Sequence, residues 1–234
     1  MSSAAQPLLT VIIPHYNERS FIKVLLEKVQ AVPIPKEIIL VDDGSEPDVI
    51  AVLKNEIEGK FEGLRVFYHE KNQGKGAAIR TGLIQAKGDI IIIQDADKEY
   101  DPNEIPKLLQ PILEGKADIV YGSRFLGAKR PAGMAFANWI ANRFLTWITN
   151  LLYGLNLTDM ETCYKVFRAE IIKNLKLRAN RFTFEPEVTA LLAKNKIKIL
   201  ELPISYHGRT AEEGKKIKAR DFFFAIFILL RHLF

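Results

Sequence analysis

Four consecutive isoleucines, Ile90–Ile93, run into Gln94-Asp95-Ala96-Asp97-Lys98-Glu99. An apolar run of this kind reads as a strand buried on both faces of a parallel sheet. The carboxylates that end it then stand at the crevice where open α/β sheets bind ligands. Asp95 and Asp97 share one side-chain parity, and Glu99 follows two residues later. Hard oxygen donors gathered in this way suit a magnesium or manganese ion, and such an ion commonly holds a phosphate. Two other segments carry polar clusters at expected strand ends: Pro14-His15-Tyr16-Asn17-Glu18 and Val41-Asp42-Asp43-Gly44-Ser45. Parallel strands present their C-terminal ends to one side, so the three clusters are expected to share one pocket. Carboxylates there can accept hydrogen bonds from a nucleobase or from ribose hydroxyls. Helix capping by Asp42 or Ser45 and a turn at Gly44 would explain one cluster alone; three together point to a site.

The elements that must position these clusters alternate along the first half of the chain. Strands are expected at 8–14, 37–42, 64–69, 89–95 and 118–122, and helices at 21–32, 47–57, 75–86 and 102–113. That order predicts a mostly parallel sheet covered by helices on both faces. Beyond Arg124 the pattern changes. A basic, glycine-containing loop at 126–133 precedes a long helix at 134–153, which carries Trp139, Phe144, Trp147 and Tyr153 but also Arg143 and three asparagines. Those polar residues favour a core-packing or interfacial helix over a membrane span. A helix at 185–194 and a strand at 197–203 follow, and the aperiodic, charged stretch 205–218 reads as a loop.

Length and composition fit one large domain with a sizeable core, since 48% of the 234 residues are hydrophobic. The single cysteine, Cys163, excludes an internal disulfide framework and suits a reducing, cytoplasmic setting. Residues 1–6 lack the charged and apolar regions of a secretory leader, so none is expected. The net charge of +5 suits an anionic partner, yet no zinc spacing or basic–aromatic repeat supports nucleic acid. Near the C-terminus, Lys215, Lys216, Lys218 and Arg220 precede an apolar run from Phe222 to Leu230. That run is too short to span a bilayer, but it suits a helix lying on one.

The segments VIIPHYNE, ILVDDGS, NQGKGAAIRTG, DADKEYDP and YGSR resemble the inverting glycosyltransferases of family 2. The later TDMETCYKVFR, FEPEV and ISYHGRTAEEGKKI look like polyprenyl-phosphate sugar transferases of the dolichyl-phosphate mannose synthase type. The resemblance covers roughly residues 8–218. It implies a GT-A, Rossmann-like α/β fold over 1–218, with a nucleotide-sugar half up to about 124, an acceptor half from about 125, and an interfacial helix at 219–234. Pro14, Tyr16, Glu18, Val41 and Asp43 would hold the nucleoside of a nucleotide-sugar donor, and Asp95 and Ala96 would lie along that donor. Asp97 would ligate Mg2+ or Mn2+, with Glu99 as the accompanying metal ligand. Arg124 would meet a phosphate, and Arg209 and Lys215 would close over the donor in their loop.

For catalysis the resemblance singles out Asp97, Arg124, Arg209 and an acid in Thr158-Asp159-Met160-Glu161, with Asp159 ahead of Glu161 as a base. A polyprenyl phosphate acceptor needs no base, because its second pKa of about 6 leaves it mostly ionised at neutral pH. The expected enzyme moves a hexose from GDP-mannose or a UDP-glucose-type donor to that lipid, peripherally on the cytoplasmic face of the membrane. Transfer to a sugar hydroxyl in polysaccharide synthesis, or a nucleotide-sugar-binding protein without activity, are the alternatives. A nucleotidyltransferase would call for a glycine-rich phosphate loop after the first strand, and Pro14-His15-Tyr16-Asn17 is not one. The turn Asn72-Gln73-Gly74-Lys75-Gly76 lacks Walker spacing and reads as close helix–sheet packing, with Lys75 a minor contact. Arg143 is a further phosphate candidate, His207 a substrate contact, and Cys163 shows no sign of a nucleophile.

Overall fold

Isoleucine, valine and leucine dominate the strands, and successive residues alternate between two cores. In β1 (Leu9–His15), Val11 and Ile13 join one buried cluster and Ile12 the other. In β4 (Ile90–Ile93), Ile90 and Ile92 face one side and Ile91 and Ile93 the other, which is why four isoleucines in a row are tolerated. The computed structural model describes residues 8–126, 130–131, 133–208 and 219–233. Among these, seven strands form one sheet in the order β3-β2-β1-β4-β6-β5-β7. The remaining strands are β2 (Lys36–Asp42), β3 (Leu64–Tyr68), β5 (Ile119–Ser123), β6 (Lys165–Arg168) and β7 (Ile199–Pro203). All pairings are parallel except those of β6, which runs antiparallel to both β4 and β5.

Helices cover both faces. Against one core lie α1 (Ile22–Ala31), through Ile22, Leu25, Leu26 and Val29, and α4 (Ile105–Leu113), through Ile105, Leu108, Leu109 and Ile112. These are i, i+3, i+4, i+7 spacings, the stripe an amphipathic helix buries. The other core takes α3 (Lys75–Gln85), α5 (Phe136–Tyr153), α7 (Phe184–Lys194) and α8 (Ala219–Arg231). Two short helices, α2 (Pro47–Val52) and α6 (Ala169–Asn174), complete the set. Where one helix was expected over 47–57, α2 passes at Leu53 into a wider π turn ending at Ile57. β6 and α6 were not anticipated. β6 is only four residues long and opens on a lysine, so its charged ends conceal a strand whose first three residues are buried.

Two helices leave apolar surface uncovered. On α5, Phe136, Ile140, Phe144, Trp147 and Leu151 are exposed at helical spacing, while Leu145, Thr146 and Thr149 face inward. On α8, Phe223, Phe224, Phe227 and Leu230 are exposed, while Ala225 and Leu229 are buried. The two helices pack together: Phe144 and Phe222 ring centroids lie 5.8 Å apart, and the Tyr153 hydroxyl donates to the Leu229 carbonyl at 2.6 Å. Among the described residues no helix is long and apolar enough to cross a membrane.

Candidate active site

The C-terminal ends of β1, β2 and β4 do converge, and hydrogen bonds between their loops fix the arrangement. His15 is buried at the end of β1, with Nδ1 2.8 Å from Asp42 Oδ2 and Nε2 2.9 Å from the Glu18 carbonyl. Asp42 also accepts from the Ser45 N–H at 3.0 Å and from its hydroxyl at 2.5 Å. Burial pushes the Asp42 carboxyl upward, but the bonds from His15 and Ser45 outweigh it and hold the group below its usual range. Asn17, at φ 53°, donates its N–H to Ser45 Oγ, and its side-chain oxygen accepts from Glu46 N, both at 2.9 Å. Asp43 accepts from the N–H groups of Gln73 at 3.0 Å and Gly74 at 2.7 Å, and lies 2.8 Å from His69 Nδ1. Its carboxylate therefore shapes the glycine-rich turn that opens α3. Gly74 sits at φ 104°, and a Cβ there would run into the Asn180 carbonyl, so the turn packs against the chain leading into α7. The helix–sheet packing expected of the turn is made further along, at Gly82, where a Cβ would lie 2.5 Å from Ile12 Cγ2.

Two buried cations hold the acids together. Lys75, expected as a minor contact, is instead central: its Nζ lies 2.7 Å from Asp95 Oδ1, 3.0 Å from Glu185 Oε1 and 2.9 Å from Cys163 Sγ. Burial works against its charge, but Asp95, the sulfur and Glu185 prevail and hold the ammonium well above its usual value. Arg124 is the second. Its Nε donates to Asp159 Oδ2 at 2.7 Å and its Nη2 to Asp159 Oδ1 at 2.8 Å, a bidentate fork. Its backbone N–H donates to the same carboxylate at 2.9 Å, and Nη2 also reaches Asn142 Oδ1 at 3.0 Å. The guanidinium lies over the Tyr206 ring, 5.3 Å from its centroid.

The base role expected for Asp159 does not fit its place. The residue is fully buried, both oxygens are taken up by Arg124, and its own N–H donates to Glu201 Oε1 at 3.0 Å. It positions Arg124. Glu161 differs: it borders the cleft, and burial together with neighbouring Glu185 pushes its carboxyl up from 4.5 to about 8. Burial likewise pushes the Cys163 thiol up, which agrees with its unreactive reading.

A cleft of about 1150 Å³ gathers most of the expected site. Pro14, Tyr16, Glu18, Asp43, Asp95, Ala96, Asp97, Glu99 and Arg124 all border it. Asp97 is buried and accepts from the Glu99 N–H at 2.9 Å. Val41 is not brought to the cleft; it is fully buried in the core on the α3 side of the sheet. Arg143 donates to the Thr158 carbonyl at 3.3 Å and lies outside the cleft lining. His207 is exposed, its N–H bonded to the Glu99 carbonyl at 3.1 Å. Arg209 and Lys215 lie outside the described residues. The cleft also recruits Tyr100, Asn138, Asn142, Glu185 and Tyr206, which the strand-end pattern could not single out. Its lining also includes apolar side chains, Ile140, Phe144 and Leu145 from α5 and Phe222, Phe223 and Ile226 from α8.

Comparison with known proteins agrees with this architecture. Residues 10–176 match the family model described as Glycosyl transferase family 2. The chain is 34% identical over 217 residues to the UDP-N-acetylglucosamine–dolichyl-phosphate N-acetylglucosaminyltransferase of Methanococcus voltae, covering 86% of each chain. It is 29% identical to the dolichol-phosphate mannosyltransferase of Pyrococcus furiosus, over 97% of this chain and 62% of that longer protein. Among solved structures it resembles glucosyl-3-phosphoglycerate synthase from Mycobacterium tuberculosis, in a complex with Mn2+, uridine diphosphate and glucosyl-3-phosphoglycerate. The TM-score is 0.72 at 20% identity, covering 97% of this chain and 80% of that one. The fold expected from the motifs is thus the fold observed, a GT-A-type mixed α/β sheet flanked by helices.

Two outcomes follow from the buried charges. Asp159→Asn strips Arg124 of its counter-charge, and removing one partner of a buried pair costs about 3–5 kcal/mol. Urea unfolding should show a loss of that order, whereas a residue acting only as a base would leave the midpoint in place. Glu161 governs a pH window. Its folded carboxyl keeps its proton up to about pH 8, whereas the unfolded chain releases it near 4.5. Its contribution is therefore complete below pH 4.5 and is lost as pH rises towards 8. Between pH 5 and 8.5 the urea midpoint of the native protein should fall further than that of Glu161→Gln.

Proposed function

That the chain belongs to glycosyl transferase family 2 is the premise from which we propose that it moves a hexose from a nucleotide sugar to a polyprenyl phosphate, with inversion at the anomeric carbon. The observation that carries this reading is the make-up of the cleft lining. Acids suited to a nucleotide and its metal, the Arg124 guanidinium and apolar side chains of α5 and α8 all border one cleft. A phosphate with a hydrocarbon tail is the acceptor that matches such surroundings.

The burial of Asp159 removes the first-ranked base that a sugar-hydroxyl acceptor would use. A hydroxyl needs a base within reach, and this carboxylate is occupied by Arg124. A phosphate monoester is largely ionised at neutral pH and attacks unaided. Pro14, Tyr16, Glu18 and Asp43 would take the nucleoside, and Asp95 and Ala96 the sugar phosphate.

Asp97 and Glu99 fit Mg2+ or Mn2+. Both are hard oxygen donors bordering the cleft. Among the described residues no cluster of three or more His, Cys, Asp or Glu surrounds a metal position. That suits an ion which takes one or two protein carboxylates and draws its remaining ligands from water and phosphate. When bound, such an ion supplies charge stabilisation to the departing diphosphate. Arg124 adds a fixed positive charge on the acceptor side, aimed by Asp159 and Asn142. Arg209 and Lys215 belong to the segment that would cover the donor.

The exposed aromatic faces of α5 and α8 would rest on the cytoplasmic surface of the membrane. Aromatic side chains suit that interface, and the same two helices contribute apolar side chains to the cleft lining.

With a panel of radiolabelled nucleotide sugars, divalent metal and a short-chain polyprenyl phosphate, label should pass into organic extract. Chelation should abolish it, and Asp97→Ala should lower turnover by on the order of 10³-fold. Retention of full transfer in that variant would remove Asp97 from the site. In flotation with anionic liposomes the protein should rise with the vesicles. The double change Trp147→Ser and Phe227→Ser should cut the bound fraction at least about 10-fold, given the transfer energy of two aromatic rings. A native protein that stays wholly at the bottom of the gradient would refute the membrane contact.

A further inference from the structure

Glu161 borders the cleft without a part in the proposed transfer. Glu161 lies on the loop that enters β6, and its neighbours two residues away on each side are firmly placed. Asp159 grips Arg124. Cys163 lies 2.9 Å from Lys75 Nζ, and the Cys163 thiol approaches Glu185 Oε1 at 3.8 Å. Glu161 thus follows a residue that holds Arg124 and precedes one that touches Lys75, the partner of Asp95 and Glu185. Its side chain borders the cleft. Its Oε1 is buried and, among the described residues, has no hydrogen-bond partner. A buried acceptor without a partner is uncommon in a folded protein and calls for one.

The reading above places a metal-held diphosphate at Asp97 and the acceptor phosphate at Arg124. The group that must lie between them is the sugar being moved. We infer that Glu161 is a specificity-determining residue that hydrogen-bonds a hydroxyl of the transferred sugar. The inference rests on the proposed glycosyl transfer and assigns a sugar contact within it. A carboxyl is able to make that contact. In its protonated form it offers one donor and one acceptor to the same hydroxyl, and the raised proton affinity of Glu161 keeps that form available near neutrality. A site built to pair with a substrate hydroxyl also discriminates strongly against sugars that lack it.

Calorimetry in the presence of Mg2+ separates the possibilities. The probes are UDP, UDP-glucose, UDP-N-acetylglucosamine, GDP and GDP-mannose. For the sugar nucleotide that the native protein binds, Glu161→Ala should weaken binding about 10-fold or more. Binding of the matching nucleoside diphosphate should stay within about 2-fold. Glu161→Gln, which keeps a donor and an acceptor, should restore most of the loss at pH 7. Glu161→Leu, of similar volume, should behave like the alanine variant and serves if that variant does not fold.

An equal weakening of nucleotide and sugar nucleotide would assign Glu161 to packing and overturn the inference. So would unchanged binding of both, which would mean that the transferred sugar makes no contact with Glu161. Unchanged donor binding with a raised KM for polyprenyl phosphate would move the residue to the acceptor and overturn it equally. Failure of the native protein to bind any of the five probes would instead strike the proposed function itself.

Discussion

Carboxylates crowded at one end of a sheet repel one another, and in this fold two buried cations keep them together. Lys75 joins Asp95 at the end of β4 to Glu185 at the start of α7. Arg124, at the end of β5, is clasped by Asp159 from the loop before β6. Neither cation is a surface charge, so the attraction is little weakened by water or salt. Each ties two segments far apart in sequence, and between them they frame the cleft.

The rest of the sheet supplies the level floor on which this balance rests. Ladders from β3 through β7 bring the ends of β1, β2 and β4 to a common edge. The residues that touch the core and those that serve the cleft are then only one or two positions apart. Val41 is core and Asp43 is site; Ile93 is core and Asp95 is site. A strand must be rigid and dry to its last residue for such a switch to be sharp, and the all-buried pattern of β4 meets that need.

The parallel half of this arrangement was legible in sequence because its signals are local. Isoleucine runs, a glycine after paired aspartates and alternating helical stripes each report on their own element, and the observed boundaries fall within a few residues of those expected. What escaped depends on partners distant in the chain. Lys75 read as a minor contact in a glycine-rich turn; only Asp95 and Glu185, 20 and 110 positions away, reveal it as a buried hub. Asp159 carried the right chemistry for a base but the wrong surroundings, since Arg124 stands 35 positions earlier. The short strand β6 escaped because its burial comes from β4 and β5 on either side, while Lys165 at its head reads as surface. That lysine is in fact fully buried, donating to the Met160 and Thr162 carbonyls beneath the Tyr121 ring.

The reversed direction of β6 has a geometric consequence. Neighbouring parallel strands need a connection that travels the full height of the sheet and returns, which commits the intervening helix to cover a face. Between β5 and β6 no such return journey is required, because the chain leaves one strand and enters the next at the same rim. The long segment between them is spared that crossing. Its helix α5 still covers the core through Leu145, yet it leaves Phe136, Ile140 and Trp147 bare on its far side.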